Sequence, residues 1–164
     1  YYEIAGYLPS GKFIQKNHDY GCVCPNGNGE YIEGKHFKIY IYRITTTHVD
    51  GMIHEWSAKE VQQWCKNNGL RHVTEFYYGY AKDLYPELDK NNHWHENFLE
   101  KLANDKNFYM EELSPECNNK VPQEGIVIRI ENNKPGALKL KTFAHLNKEQ
   151  VQLDAGETNI EDEA

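Results

Sequence analysis

The sequence predicts an α+β domain with packed helices around mostly antiparallel sheet. Three observations carry that reading. Runs rich in β-branched and aromatic residues, such as "YYEIAGYL", "HFKIYIYRITTT" and "EGIVIRI", are bounded by turn residues. Strands come first, helical segments follow, and strands return, with hairpins throughout. The 164 residues are enough for one domain with a core.

The elements follow in order. "YYEIAGYL" reads as a strand, "PSGK" as a turn, and "FIQ" as the start of a second, short strand. From Asn17 to Gly34 the chain is dominated by Gly, Asn, Pro and Cys and reads as a long loop, a length more often functional or mobile than idle. Phe37 to Thr47 and Met52 to Trp56 flank "VDG" and predict a hairpin. "SAKEVQQWCKNNGL" predicts a helix with Ser57 as N-cap and Glu60 completing a capping box. Val61, Trp64 and Cys65 lie on its inner face, and Gly69 is the stop. "VTEFYYG" reads as a short strand. "YAKDLYPEL" and "WHENFLEKLAND" read as helices, the second turning Phe98, Leu99 and Leu102 inward. After Leu146 the chain ends in an acidic stretch that reads as a linker, a frayed helix or the start of a truncated element.

Composition narrows the function classes. The net charge is −7, which excludes a protein coated in positive charge and leaves room for a local basic cleft. No apolar run approaches the ~20 residues that cross a bilayer, and no signal-peptide pattern opens the chain. Four cysteines (Cys22, Cys24, Cys65 and Cys117) do not make a disulfide framework at this length and point to a reducing compartment. Cys22 and Cys24 with nearby His18 could be weighed as zinc ligands. The C-x-C spacing is not the usual one, no second pair follows, and plain thiols are the default.

The chemistry concentrates in "EGIVIRIENNKPGALKLK". Alternation places Glu124, Ile126, Ile128 and Ile130 on one face, and Val127, Arg129 and Glu131 on the other. Both faces are apolar in the middle, so the strand is expected to be covered on both sides. In the next strand Lys139 and Lys141 project from one side, and Leu138 and Leu140 from the other. Two ammonium groups two residues apart repel, and they are tolerated if both face water or a shared anion. A nucleotide phosphate is such an anion, and Glu124 could hold a divalent metal or a ribose hydroxyl. The alternative is a solvent-facing hairpin with an incidental ion pair.

"EGIVIR" followed by "LKLK" resembles motifs IV and V of the covalent nucleotidyltransferases, the superfamily of RNA ligases, DNA ligases and mRNA capping enzymes. The wider pattern is similar to ATP-dependent RNA ligases of the phage and viral type. "YYEIAGYLPSGKFIQ" looks like their motif III region, "FKIYIYRIT" like motif IIIa, and "LKTFAHLNKEQ" continues as they do after motif V. The resemblance implies that residues 1–148 are the C-terminal portion of an ATP-grasp-like ligase nucleotidyltransferase domain. Residues 149–164 would be an acidic tail or the start of a further element.

The resemblance also implies roles. Glu124 matches the motif IV glutamate, associated with the metal and the adenylylation steps. Lys139 and Lys141 match the motif V lysines that contact the nucleotide α-phosphate. Glu3 would lie near the nucleoside, and Tyr42 or Phe37 would be suited to stack on adenine. Arg43 and Arg129 would be further phosphate contacts. Other readings stay open: Tyr42 and Phe37 as core aromatics, and Arg43 as an ion-pair partner. The implied cofactors are ATP, bound as AMP, and Mg²⁺. The implied partner is RNA with 5′-phosphate and 3′-hydroxyl ends, in the cytoplasm (the host cell's, if viral). A DNA ligase or capping relative and a non-catalytic nucleic-acid-binding module are the alternatives.

These enzymes attach AMP to the lysine of a K-x-D-G motif, and the chain has none. "HVDG", His48 to Gly51, has His in place of Lys and reads as turn chemistry; Lys12 of "PSGK" is likewise a turn residue. Tyr1 already stands inside a strand-like run, so the expectation is a piece of a longer protein whose nucleophile lies upstream. Incubation with labelled ATP and magnesium, followed by a denaturing gel, is expected to give no labelled band at the mass of this chain. Such a band would overturn the expectation.

Overall fold

The computed structural model describes residues 1–27, 29–88, 93–108, 113–132 and 135–156. Its strands are β1 (Tyr2–Gly6), β2 (Phe37–Ile41), β3 (Thr45–Thr47), β4 (Ile53–Glu55), β5 (Arg71–His72), β6 (Gly125–Ile130) and β7 (Gly136–Lys141). Its helices are α1 (Ala58–Asn67), α2 (Ala81–Leu84), α3 (Trp94–Ala103) and α4 (Phe143–Asp154). The α+β class is borne out, with antiparallel pairs β1–β2 and β3–β4 and one parallel pair, β2–β5. Among the described residues no helix is long and apolar enough to cross a membrane. The chain divides into two compact units. The first holds Tyr1–Thr74, Glu116–Asn119 and Ile130–Gly136; the second holds Glu75–Pro115, Lys120–Arg129 and the chain from Ala137 onward.

In the first unit the sheet order is β1-β2-β5. Strand β2, "FKIYI", sits in the centre because its β-branched and aromatic residues suit a strand flanked on both edges. Glu3 lies opposite Tyr40 and Gly6 opposite Phe37. A side chain at Gly6 would meet the His36 carbonyl oxygen at 2.7 Å, so the ladder closes there only around glycine. The predicted hairpin is real but shorter than expected. The stretch from Phe37 to Thr47 breaks after Ile41: β2 pairs with β1, and only Thr45–Thr47 returns to Ile53–Glu55. The turn is closed by His48 N–H donating to Met52 O (2.8 Å) and by Asp50 Oδ1 accepting from Met52 N–H (3.0 Å).

Helix α1 forms as its sequence dictates. Ser57 Oγ accepts from Glu60 N–H (3.3 Å), and Glu60 Oε2 accepts from Ser57 N–H (2.7 Å). The Ser57 N–H, with the Ser57 hydroxyl also donating to Oε2 (2.8 Å), holds the Glu60 carboxyl below its ordinary range. Val61 and Cys65 are buried, whereas Trp64 stands at the rim of that face, 37 % exposed. "FIQ" makes only a single bridge, Phe13 to Tyr7, whose rings stack at 4.5 Å. The strand expected in "VTEFYYG" falls earlier, at Arg71–His72. The long loop is tied down at several points. Asn118 N–H donates to Asp19 O (2.7 Å), Asn119 Oδ1 accepts from Asp19 N–H (3.0 Å), and the Lys38 ammonium reaches the Tyr20 carbonyl. Tyr40, half-buried beside the Glu116 carboxylate, has its phenol pushed up to about 12, with burial the larger cause.

The second unit has its own core of Tyr85, Phe98 and Leu102, joined by Trp94, Ile126, Ile128 and Leu140. Burying a Phe or Leu side chain contributes about 1.5–3 kcal/mol, and Trp94 stacks on Phe98 at 5.1 Å. Tyr85 donates to Asp105 Oδ2 (2.8 Å), which satisfies the hydroxyl of a buried ring. Helix α2 covers four residues of the longer segment expected to be helical. Two expectations for β6 and β7 are corrected. Strand β6 is not covered on both sides: Ile126 and Ile128 pack on the core, and Val127 is 62 % exposed. Of the two leucines expected to anchor β7, Leu140 reaches the core and Leu138 is half exposed. Helix α4 runs to Asp154, so the expected boundary at residue 148 falls inside it; residues 157–164 lie outside the described residues.

Gly125 opens β6 at φ +151°, in a region that favours glycine. A Cβ there would run into the Leu140 carbonyl and stand 2.8 Å from Lys141 Cα. Gly125→Ala is therefore expected to destabilise the second unit by about 3 kcal/mol or more. A thermal melt followed by near-ultraviolet dichroism checks this; an unchanged midpoint would show that the strands can part at no cost.

Candidate functional site

The site grows from the place where β6 begins, β7 ends and α4 starts. Thr142 is fully buried and caps α4. Its hydroxyl donates to Gln123 O (2.5 Å) and accepts from His145 N–H (3.2 Å). Its backbone N–H donates to Glu124 O (3.0 Å). That bond, with Gly125 against Leu140 and Lys141, sets the start of β6 beside the end of β7. Glu124 is thereby brought to the strand that carries Lys139 and Lys141, which alternation places on one face.

Each lysine has a carboxylate partner. The Lys139 ammonium pairs with Glu124 Oε1, with the side chains 53 % and 36 % exposed. Lys141 Nζ lies 2.6 Å from Glu149 Oε1, and Glu149 reaches it from the second turn of α4. His145 Nε2 lies 3.2 Å from the same oxygen, one helical turn before Glu149. The hydrogen bond from Lys141 is the main cause holding the Glu149 carboxyl below its ordinary value. The repulsion between two neighbouring ammonium groups is thus relieved by two carboxylates. Both pairs are partly exposed, a setting in which an ion pair contributes about 0–1 kcal/mol. An incoming anion can displace such partners at little cost.

The other predicted residues fall as follows. Arg129 is half-buried on β6, on the face that carries the exposed Val127. Glu3, Phe37, Tyr42 and Arg43 all lie in the first unit. Glu3 is exposed on β1. Phe37 stacks on Tyr31 at 4.4 Å, and Tyr42 is tilted against Tyr1 at 6.3 Å. Arg43 is held by Glu55 through Nε (2.8 Å) and a terminal nitrogen (2.7 Å), and its guanidinium covers the Tyr1 ring at 4.5 Å. The ion pair weighed for Arg43 is present, with Glu55 as its partner.

Glu149, His145 and Thr142 escaped the sequence reading. The signal was there in "TFAHLNKE", where a threonine N-cap at residue 142 sets His145 and Glu149 one turn apart. As for a metal, among the described residues no group of three His, Cys, Asp or Glu side chains comes together. Cys22 and Cys24 are free thiols whose nearest acceptors differ, the carbonyls of Tyr20 (3.9 Å) and Gly11 (3.6 Å). A magnesium ion bound with a nucleotide needs only one or two carboxylates beside phosphate and water, and Glu124 fits that requirement. No protein-family model, no curated protein and no solved structure matches the chain.

The lowered carboxyl of Glu149 gives a pH dependence with a defined sign. A folded-state value below the unfolded one stabilises the chain above the ordinary value of 4.5, and the contribution is lost as pH falls through the lowered folded value. Glu149→Gln is therefore expected to lower the urea midpoint at about pH 7, and the difference is expected to shrink progressively as pH falls below 4.5 and through the lowered folded value. A difference between the two proteins that persists at the acid end would show that the charge of Glu149 is not what stabilises.

Proposed function

We propose that this chain provides the α-phosphate site of an ATP-dependent RNA ligase. In that reaction ATP yields pyrophosphate and a lysine-bound AMP. The AMP passes to an RNA 5′-phosphate, and a 3′-hydroxyl then attacks that phosphate and expels AMP. With no K-x-D-G in its 164 residues, the chain supplies the phosphate side of the site and not the nucleophile.

The observation that carries the reading is the pair Lys139 and Lys141 on one face of β7, each with an exchangeable carboxylate partner. Nucleotidyl transfer needs charge neutralisation and in-line positioning more than unusual side chains. Two cations on a strand pinned by Leu140 supply both: they take up charge as the pentacoordinate phosphorus forms, and they hold the phosphate in a fixed direction. Glu124 would hold the magnesium ion, which when bound offsets charge on the pyrophosphate leaving group. The order of the sequence motifs assigns Glu3 and the aromatic residues Phe37 and Tyr42 to the nucleoside, and Arg43 and Arg129 to phosphate. For Arg43 that role requires release of Glu55.

Calorimetric titration with ATP and magnesium tests the proposal. The chain is expected to bind, and Lys139→Ala/Lys141→Ala to weaken binding by at least about tenfold, because hydrogen bonds to charged groups are lost. Equal binding by the double variant, or no binding by the unmodified chain, would sink the reading.

A further inference from the structure

We propose that Glu149 is a built-in counter-ion that occupies the anion position of Lys141 while the site is empty and yields it to an incoming phosphate. The inference rests on the functional reading above and adds a residue on a different element, helix α4, to the phosphate site.

Three observations carry it. The first is distance: Glu149 Oε1 lies 2.6 Å from Lys141 Nζ, where a phosphate oxygen would sit to accept the same proton. The second is anchoring. The start of α4 is locked by the buried Thr142, so Glu149 is delivered to Lys141 by a fixed helix and not by a wandering loop. The third is the way out. His145 Nε2 lies 3.2 Å from the same Glu149 oxygen, so a partner is in place when Lys141 lets go. The side chains of Lys141 and Glu149 are 32 % and 26 % exposed, which leaves water access for the exchange.

The exchange is between like charges. Before binding, Lys141 faces the Glu149 carboxylate; after binding, it faces a phosphate oxygen, and Glu149 turns to His145 and water. The empty site therefore avoids a Lys141 ammonium without a carboxylate beside the Lys139–Glu124 pair, and phosphate affinity is held below what Lys141 without Glu149 would give. Glu149 acts through Lys141 and is a positioning residue.

The test is ATP affinity, with magnesium, of the unmodified chain and of Glu149→Gln. The substitution is expected to tighten ATP binding about twofold to fivefold, the range of a partly exposed ion pair, and the gain should shrink as salt is raised. Affinity for adenosine, which has no phosphate, should not move. Asp154→Asn removes one negative charge from the same helix, where the carboxylate pairs with Gln150 (2.9 Å) instead of a lysine, and should leave ATP binding unchanged. A melt of each variant confirms that it is folded, and a merely structural role cannot raise affinity. Unchanged or weaker ATP binding in Glu149→Gln, or an equal gain in Asp154→Asn, would overturn the inference. If the unmodified chain binds ATP and loses it in the double lysine variant, that failure touches Glu149 alone. If the double variant loses nothing, the functional reading falls as well.

Discussion

A single buried hydroxyl organises the second unit. Thr142 has no solvent exposure, so its polar atoms must find partners inside the protein, and an unmet one would cost about 1–3 kcal/mol. It meets them on three sides: the Gln123 carbonyl, the Glu124 carbonyl through its own amide, and the His145 amide. These bonds fix the register of β6 against β7 and the point where the chain turns helical. Everything chemical in this unit follows from that register. Slip β7 by one residue and both lysines exchange faces with the leucines.

The two units hold their cations differently. In the first, Arg43 is clasped by Glu55 through two nitrogens and lies over the Tyr1 ring, so a planar fork meets a planar acceptor. In the second, Lys139 and Lys141 are flexible point charges paired with the Glu124 and Glu149 carboxylates. Arginine in that geometry is suited to holding still, and lysine to exchanging partners. This contrast, more than the number of positive residues, separates a cation that must first release a two-nitrogen clasp from cations held by weaker pairs.

Much of this could be read from the residues. The capping box at Ser57 and Glu60 is local, and local chemistry decides it. The inward turn of Phe98 and Leu102 follows from helical spacing. Other elements depended on partners far along the chain. "FKIYIYRITTT" looks like one long strand, but whether it pairs forward or backward is settled by "YEIAG", which claims its first half. Val127 and Leu138 have the composition of core residues, and nothing in a strand's own alternation reveals that no layer covers them. The lysines of the site were legible because their spacing is a local pattern. Their partner Glu149 was not, because it lies on a helix that starts after the Thr142 cap, and its meeting with Lys141 depends on how that helix turns against β7.

Helix α4 also bears on how this protein can be shortened. It buries no residue among those described and is exposed at Phe143, Leu146, Val151 and Leu153, so by hydrophobicity it resembles a dispensable extension. Ending the chain at residue 148 would keep every described strand and the segments matched to motifs III to V. It would also remove Glu149 and leave the Lys141 ammonium without the carboxylate that now neutralises it. A trimmed protein of that kind would be a different electrostatic object from the parent. Anion affinities measured on it would describe the cut, not the site.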